Sequence, residues 1–434
     1  MNLLITNTHT AQSYAILRAL RPYANRVVAT MIGTNRWKAR TAHTANSRYV
    51  DARYYTSNPS GDWLAGLLQE TNTENEEAYV RRIEEICDRE RIDTIFPSSD
   101  GEVYVFSKNK PRFAKRGVMC VVQDYKALAI PLDKFETNQA AKRAGLPVPD
   151  AIIPESPEQI RSFAERVDPP WLVKPRCTYG GIGTKIVRRR EDLEPTYYLT
   201  AKRQARPMLQ EFIPGRVKES IYLLTDHQAC IRSFVRTEVV KNRLRLVEDS
   251  ISAFRMSVDS PYLLQVQALM REIGVWGGFT FQSKVDSRDG VTKLLEINPR
   301  LGKHLWTRTL AGINEPLLLV KAAQGEAIET VTNIPAGALV FEPIETLLEL
   351  PFELLDLMLY RIRIGLLGKV PTDPDNPPYT LSEIGKAFVA CYMPGGRKII
   401  SIYNKHLLDD PLACALWLYA CAGELVYTFD ARGK

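Results

Sequence analysis

Two alternating segments joined by a turn constrain the fold of this chain more than any other feature of its sequence. Gly278–Asp286 reads GFTFQSKVD, Val291–Arg300 reads VTKLLEINPR, and Asp289-Gly290 lies between them. An Asp-Gly pair between such segments is a strong signal for a β-hairpin. The sequence therefore predicts two antiparallel strands whose side chains alternate between the two faces of a sheet.

One face of the predicted hairpin carries polar side chains. Glu296 and Asn298 share a face, and Gln282 joins them if residues opposite each other have numbers with an even sum. The loop is then expected to hold three or five residues unless a bulge intervenes. Three oxygen-bearing side chains suit Mg²⁺, and Arg300 offers a fork for a phosphate. The alternative is a solvated sheet face without a ligand.

A glycine-rich loop follows another predicted strand. The strand Trp171–Lys174 precedes a loop that contains Gly180, Gly181 and Gly183. Glycines allow backbone N–H groups to close over phosphates, and Lys174 adds a positive charge. The segment fits a phosphate-binding loop, and it also fits an ordinary hairpin with a flexible tip.

Two further segments have features of nucleotide-binding elements. Residues 208–215, MLQEFIPG, predict a strand that leads into a crossover between lobes. Its backbone can hydrogen-bond an adenine while Glu211 reads the exocyclic amine, and Glu219 is then placed to hold ribose hydroxyls. The same pattern fits any apolar strand that ends in a Pro-Gly turn. Asp133-Lys134-Phe135 opens a helix that ends at Gly145.

The charge of the chain is concentrated in its middle. The net charge is +7, yet residues 172–245 alone hold 16 Lys and Arg against 7 Asp and Glu. Such a segment attracts anions: ATP, an acidic cosubstrate or an anionic membrane surface. Nucleic acid is not expected, because no recognisable nucleic-acid-binding module surrounds the cluster. Seven scattered cysteines without a C-x-x-C pair indicate reduced thiols and a cytoplasmic location.

The N-terminal 125 residues alternate between apolar strands and helical segments, which predicts a parallel α/β lobe. Its first strand-to-helix turn lacks G-x-G-x-x-G, so a dinucleotide is not expected there. Ser99 and Asp100 follow a predicted parallel strand, at the end where such sheets bind ligands. We therefore expect them to face a substrate, with a surface loop as the alternative.

Taken together, the order of these segments resembles the ATP-grasp superfamily. The chain runs DKFETNQAAKRAGLPVP, WLVKPRCTYGGIGT, LQEFIPG, GFTFQSKVD and LLEINPR, and it looks most like the ATP-grasp modules of carbamoyl phosphate synthetase and related amino-acid ligases. The resemblance covers roughly residues 90–325. It implies a two-lobed, α+β ATP-grasp core after the parallel lobe.

The resemblance also implies a role for each matching residue. The nucleotide phosphates are expected to be held by Lys134 and Lys174, with a mobile lid over them formed by Gly180, Gly181 and Gly183. Adenine is expected to be read by Glu211 and Ile213, and the ribose to be bound by Glu219. The metal is expected to be bound by Gln282, Glu296 and Asn298, and the transferred phosphoryl group to be steadied by Arg300. Lys174 and Arg300 are the residues assigned to catalysis. Lys303, His304 and Arg308, which follow Arg300, are expected to face the second substrate.

The activity implied is an ATP- and Mg²⁺-dependent ligase that activates a carboxylate as an acyl phosphate and joins it to an amine. Another acyl-phosphate-forming enzyme of this fold, either a carboxylase-type or a thiol-forming ligase, is the alternative, as is a nucleotide-binding scaffold without turnover. The identities of the carboxylate and the amine stay open.

The expected organisation is an N-terminal lobe (1–125), an ATP-grasp core (126–335) and a mainly helical C-terminal extension (336–434). Residues 341–367 and 411–423 are apolar for surface helices, so we expect a homo-oligomer whose interface uses them. Packing of both stretches on the core is one alternative, and contact with a membrane-associated partner is another; neither stretch is long and uncharged enough to span a bilayer.

Overall fold

The computed structural model describes residues 1–33, 42–59, 68–178, 181–243, 250–365 and 379–419. The N-terminal lobe is a five-stranded parallel sheet with the strand order 3-2-1-4-5. Its elements are β1 (Asn2–Ile5), α1 (Ala11–Leu20), β2 (Arg26–Ile32), β3 (Ala52–Thr56), α2 (Glu74–Glu90), β4 (Thr94–Phe96), α3 (Asp100–Ala114) and β5 (Met119–Cys120). The predicted parallel α/β lobe is confirmed.

The position of β1 at the centre of this sheet creates a crevice. The chain moves outward to β2 and β3 on one side of β1 and to β4 and β5 on the other. Ligands of open parallel sheets bind where the strand order reverses in this way, beyond the carboxyl ends of the strands. The turn after β1 and the turn after β4 therefore meet at one edge, and the second turn leads directly into Ser99 and Asp100.

A small antiparallel sheet follows, with the strand order 6-9-7-8. Its elements are β6 (Ala151–Ile152), α6 (Pro157–Arg166), β7 (Trp171–Lys174), β8 (Lys185–Val187), α7 (Arg190–Ala201) and β9 (Met208–Glu211); two helices precede it, α4 (Tyr125–Leu132) and α5 (Lys134–Arg143). Trp171 on β7 is buried against Phe163 of α6 and Leu193 of α7. Apolar side chains on one face of the sheet thus hold the two helices against it.

The large sheet is seven-stranded, with the order 14-13-10-11-12-15-16. Its strands are β10 (Lys218–Thr225), β11 (Ile231–Arg243), β12 (Ser250–Ser257), β13 (Gly277–Val285), β14 (Thr292–Asn298), β15 (Leu339–Phe341) and β16 (Lys398–Ile400), and its helices are α8 (Leu263–Ile273), α9 (Leu305–Leu310) and α10 (Glu315–Ala323). The predicted hairpin is β13–β14, at one edge of this sheet.

The hairpin keeps its polar face by means of a bulge. Gln282 lies directly opposite Glu296, but beyond this pair the register shifts, so that Ser283 lies opposite Leu294. The connection comprises residues 286–291, which makes six residues. The loop has neither three nor five residues, and the exception stated with that expectation applies, because the bulge supplies the one-residue offset that an even loop requires.

The C-terminal segment contributes two strands as well as helices. Strands β15 and β16 extend the large sheet, while most of the described residues of the segment are helical, as predicted. The helices are α11 (Pro343–Gly365), α12 (Leu381–Tyr392), α13 (Ile402–Lys405) and residues 411–419. A capping box formed by Thr380 and Glu383 opens α12, whereas residues 366–378 and 420–423 lie outside the described residues.

The last described helix packs on the N-terminal lobe. The ring of Tyr403 stacks between those of Tyr14 and Trp417, with centroid distances of 4.7 and 4.4 Å. The buried carboxylate of Asp410 accepts a hydrogen bond from the Tyr14 hydroxyl at 3.1 Å. The two ends of the described chain thereby share one core. None of the helices within the described residues is both long and apolar enough to cross a bilayer.

Candidate active site

The face predicted to bind a metal ion lies on strands β13 and β14. Gln282 and Glu296 are opposed, and Asn298, two residues further along β14, lies opposite Thr280. The side-chain Nδ2 atom of Asn298 is buried and has no hydrogen-bond partner among the described residues. A buried, unpaired N–H donor is unfavourable, and an acceptor bound at this face, such as a phosphate oxygen, would relieve it while the amide oxygen stays available to a metal ion.

The donor set fits Mg²⁺ bound together with phosphates. It offers one carboxylate and two side-chain amides, and Mg²⁺ is commonly held by one or two carboxylates, waters and the phosphates of a substrate. Among the described residues no group of three or more His, Cys, Asp and Glu side chains is arranged to hold a metal. A site at this face would therefore depend on phosphate oxygens for part of its coordination.

Two buried lysines surround the carboxylate of Glu296. The Nζ atom of Lys134, at the start of α5, lies 3.5 Å from Oε2 of Glu296 and also donates to the carbonyl of Thr178. The Nζ atom of Lys174, at the end of β7, lies 3.4 Å from Oε1 of Gln210. The phosphate-binding roles that the resemblance implied for both lysines stay predictions.

The pKa values in this cluster follow from burial and from charge. Burial lowers the pKa of Lys174 to about 8; Glu296 opposes this effect, and Lys134 and Lys218 add to it. Burial raises the pKa of Glu296, but Lys134, Lys174 and Lys218 outweigh it and hold that pKa below its usual value. The cluster thus holds an ionised carboxylate among three amines, which favours an anionic ligand.

Lys218, and not Glu219, shares the face of the metal-binding side chains. On β10, Ser220 lies opposite Gln282 and Glu219 lies opposite Ser283. Because side chains alternate along a strand, Lys218 is on the face of Gln282 and Glu219 is on the other face. The ribose-binding role expected for Glu219 is therefore wrong in this structure.

Glu219 instead occupies a small apolar cavity behind the sheet. Its Oε1 atom lies 3.2 Å from Nη1 of Arg236, and Leu146, Tyr262 and Leu294 line the same cavity. Residues 218 and 219 are neighbours on a strand, so the sequence alone could not tell which of the two faces the site. Lys218 is the site residue that the sequence interpretation missed.

The carboxylate of Glu211 is engaged by cations. It pairs with Arg288 and lies 3.4 Å from Nζ of Lys293, while the buried Asp286 contacts the same Lys293 at 3.0 Å. This ion cluster joins β9 to the β13–β14 loop, so the expectation that the Glu211 side chain reads the adenine amine is not supported. Ile213, two residues later, is buried.

The glycine-rich loop is described except for residues 179–180, so Gly180 lies outside the described residues. Gly181 and Gly183 have φ angles of +66° and +79°, a region that favours glycine. A Cβ atom at Gly183 would also lie 2.8 Å from Cγ of Pro175. The loop conformation therefore requires glycine at position 183 on two independent grounds.

Arg300 leaves β14 beside the metal-binding face and meets the N-terminal lobe. Its Nε atom lies 2.9 Å from Oδ1 of Asp100, and its Nη2 atom donates to Oδ2 at 3.0 Å. Ser99, the residue before α3, donates to Glu102 at 3.1 Å. The structure thus places Asp100 at the end of the metal-binding face, in contact with a site residue.

Arg308 and His304 lie in the interior of the large lobe. Arg308 is 1% exposed, and its Nε atom lies 2.6 Å from Oε2 of Glu315. His304 Nδ1 lies 2.8 Å from the hydroxyl of Tyr222, whose ring lies 4.6 Å from the Arg308 guanidinium. The expectation that Arg308 and His304 face the second substrate is therefore wrong, because α9 turns both side chains towards the core; Lys303 is half-buried.

Comparison with known proteins identifies the segment that carries these residues. The family profile described as "Carbamoyl-phosphate synthase L chain, ATP binding domain" matches residues 133–331. Residues 133–331 form an ATP-grasp domain that is similar to that of carbamoyl-phosphate synthase. The matched residues begin at the N-cap of α5 and include β7, the glycine-rich loop, the metal-binding face and Arg300.

Curated relatives of the ATP-grasp domain include carbamoyl phosphate synthase large chains. That of Deinococcus deserti is 26% identical over 219 residues, which covers 48% of this chain and 21% of the relative. That of Thermus thermophilus is 26% identical over 236 residues, covering 52% and 23%. The chain therefore spans less than a quarter of the length of these two relatives.

Solved structures show that the likeness in fold extends beyond the ATP-grasp domain. The biotin carboxylase domain of Hydrogenobacter thermophilus 2-oxoglutarate carboxylase, in complex with MgADP, ADP and bicarbonate, gives a TM-score of 0.60 at 17% identity, covering 78% of this chain and 73% of that one. N5-carboxyaminoimidazole synthetase from Staphylococcus aureus, complexed with ADP, gives 0.54 at 14% identity, covering 76% and 78%. The N-terminal lobe and the ATP-grasp domain thus form a known combination of folds.

Proposed function

We propose that the chain is an ATP-dependent ligase that activates a carboxylate as an acyl phosphate and joins it to an amine, releasing ADP and phosphate. One observation supports this most: Gln282, Glu296 and Asn298 share a sheet face that lysines surround and that ends at Arg300. A nucleotide-binding scaffold without turnover would not need this complete set.

A carboxylate is a poor electrophile, and phosphorylation supplies a good leaving group. Negative charge spreads over the phosphoryl group during its transfer. Lys134 and Lys174 neutralise part of that charge, and Arg300 offers N–H groups at the end of the face. Gln282, Glu296 and Asn298 would hold Mg²⁺, which when bound supplies charge stabilisation on phosphate oxygens.

The glycine-rich loop serves the second half of the reaction. Acyl phosphates hydrolyse readily, so water must be excluded until the amine attacks. The loop is tied to α5 through Lys134, which donates to the carbonyl of Thr178. A phosphate that contacts Lys134 would therefore also act, through Lys134, on the position of the loop that covers the phosphate.

Bicarbonate is the second candidate for the activated carboxylate. The Hydrogenobacter thermophilus structure, which shares this fold, contains the bicarbonate anion. Activation of bicarbonate would use the same lysines and Arg300, with carboxyphosphate as the acyl phosphate. The two candidates would then differ in the group that is activated, an organic carboxylate or bicarbonate.

ADP release is the test of the proposed function. Purified protein is incubated with MgATP and pools of carboxylates and amines, with bicarbonate as a separate arm. We expect release that needs Mg²⁺ and rises with at least one pool. MgATP binding without release in any pool would instead support the scaffold.

A further inference from the structure

Asp100 contacts Arg300 from outside the ATP-grasp domain. We propose that Asp100 is a positioning residue, which holds the Arg300 guanidinium at the end of the metal-binding face in the orientation that meets the transferred phosphoryl group. The proposal rests on the proposed function, because that function gives Arg300 its role. It replaces the expectation that Asp100 itself faces a substrate.

The contact is an ion pair with one hydrogen bond, which we call the clamp. Nη2 of Arg300 donates to Oδ2 of Asp100 at 3.0 Å, and Nε lies 2.9 Å from Oδ1 without the geometry of a hydrogen bond. The Asp100 side chain is 6% exposed and that of Arg300 is 20% exposed. The charge-assisted hydrogen bond and the close second pair of atoms hold the guanidinium against the carboxylate, and partial burial limits screening by solvent.

Asp100 is itself held firmly in the N-terminal lobe. It is the first residue of the 15-residue helix α3, directly after the turn that follows β4. In that turn the Ser98 hydroxyl contacts the carbonyls of Thr6 and Asn7 at 2.7 and 2.9 Å, and Gln12 donates to the Ser98 carbonyl at 2.7 Å. The turns after β1 and β4 therefore fix the carboxylate against which Arg300 is oriented.

The clamp leaves part of the arginine for an anion. Asp100 accepts its hydrogen bond from Nη2, which leaves the Nη1 group for another partner. Nη1 contacts the carbonyl of Leu301 at 3.5 Å, which is beyond the usual range for a hydrogen bond. An incoming phosphoryl group can take over that weak contact without breaking the clamp.

The effect on kcat and KM of removing the Asp100 charge distinguishes a positioning role from a purely structural contact between the lobes. If Asp100 acts through Arg300, Asp100→Asn lowers kcat for MgATP-dependent ADP release by about tenfold or more, because a charged hydrogen-bond partner is lost. KM for MgATP stays within about twofold, since the lysines that hold the nucleotide are untouched. Asp100→Glu, which keeps the charge, recovers part of the loss.

A double-mutant cycle gives the sharper result. In an Arg300→Ala background, Asp100→Asn is expected to cause no further loss of kcat, because residues that act through one another are not additive. Independent, additive losses would overturn the proposal. Asp88→Asn is the matched control: it removes a carboxylate of the same lobe whose partner is Arg116, on the surface, and it should leave kcat unchanged.

Chemical modification tests the clamp without turnover. In the ligand-free protein, phenylglyoxal should modify Arg300 several-fold faster in Asp100→Asn than in the wild type, as measured by peptide mass spectrometry, while Asp88→Asn matches the wild type. Equal rates in all three proteins would overturn the proposal even if ADP release is observed. Absence of ADP release from the wild type would count against the proposed function alone, because this measurement does not depend on it.

Discussion

Glu296 supplies the carboxylate of the proposed metal-binding face, and Glu219 provides its natural control. Both are half-buried glutamates of one sheet, but β10 turns Glu219 towards Arg236 on the opposite face. We expect Glu296→Gln to lower ADP release on the order of 100-fold or more, because a full charge leaves the metal shell. Glu219→Gln should stay within a few-fold of the wild type. The reverse order of the two variants would refute the assignment of the faces.

His43 links the stability of the fold to pH. It is buried, and its Nδ1 atom lies 3.0 Å from the Tyr403 hydroxyl. Burial, with a contribution from His9, lowers the pKa of His43 to about 3. Between that value and 6.5 the unfolded chain binds a proton that the folded chain does not, so stability falls as the pH drops below about 6.5.

The corresponding measurement compares His43→Gln with the wild type by urea unfolding at pH 7.0 and 5.0. The wild type should lose more unfolding free energy than the variant over this interval, by roughly 1 to 2 kcal/mol. Equal losses in the two proteins would show that His43 is not the titrating group.

Residues differ in how far the sequence alone predicts their roles. Gln282, Glu296 and Asn298 were correctly grouped, because strand alternation is a local rule and the hairpin is short. Glu219 and Arg308 were assigned to the wrong surroundings, because the orientation of Glu219 depends on how β10 pairs with β13 and that of Arg308 on its partner Glu315 in the next helix. Such partners come from other elements and leave no trace in local spacing.

At the scale of elements, the glycine-rich loop connects the two sheets around the proposed nucleotide site. Gly183→Ala places a methyl group against Pro175 and strains a left-handed backbone, whereas Gly117→Ala has the same strain with open space around it. Strain alone costs about 1 to 2 kcal/mol. We expect both variants to lose that stability, and only Gly183→Ala to lose most of its ADP release.

Gly117→Ala is the control, because it has the backbone strain without the contact with Pro175. Similar ADP release from Gly183→Ala and Gly117→Ala would mean that the loop conformation has no role in turnover. The wider expectation, that loop 177–184 is mobile without nucleotide and ordered with it, stays a prediction; residues 179–180 are not among those described.

At the scale of the whole molecule, the C-terminal segment is part of the core. Strand β15 pairs with β12, and Tyr403 and Trp417 complete the packing around Tyr14. Truncation after Gly337 should therefore give an aggregating protein, because it exposes the edge of β12 and an apolar face of the N-terminal lobe. Light scattering after size-exclusion chromatography measures this, and a soluble product with an unchanged oligomeric state would contradict it.

The strands of this segment were missed because β15 and β16 are three residues each, too short for alternation to distinguish them. Homo-oligomerisation stays a prediction, which the exposed Leu347, Leu354 and Met358 of α11 favour. Nothing in the described residues supports a membrane-associated partner.

The formation of an acyl phosphate is the central claim, and hydroxylamine tests it most directly. Hydroxylamine replaces the unknown amine and converts acyl phosphates into stable hydroxamates, so the screen needs to vary only the carboxylate. With at least one carboxylate pool we expect ADP, phosphate and hydroxamate in equal amounts from the wild type, and none of them above background from Glu296→Gln. Release of ADP without hydroxamate from every pool, with bicarbonate giving no stimulation, would contradict the account.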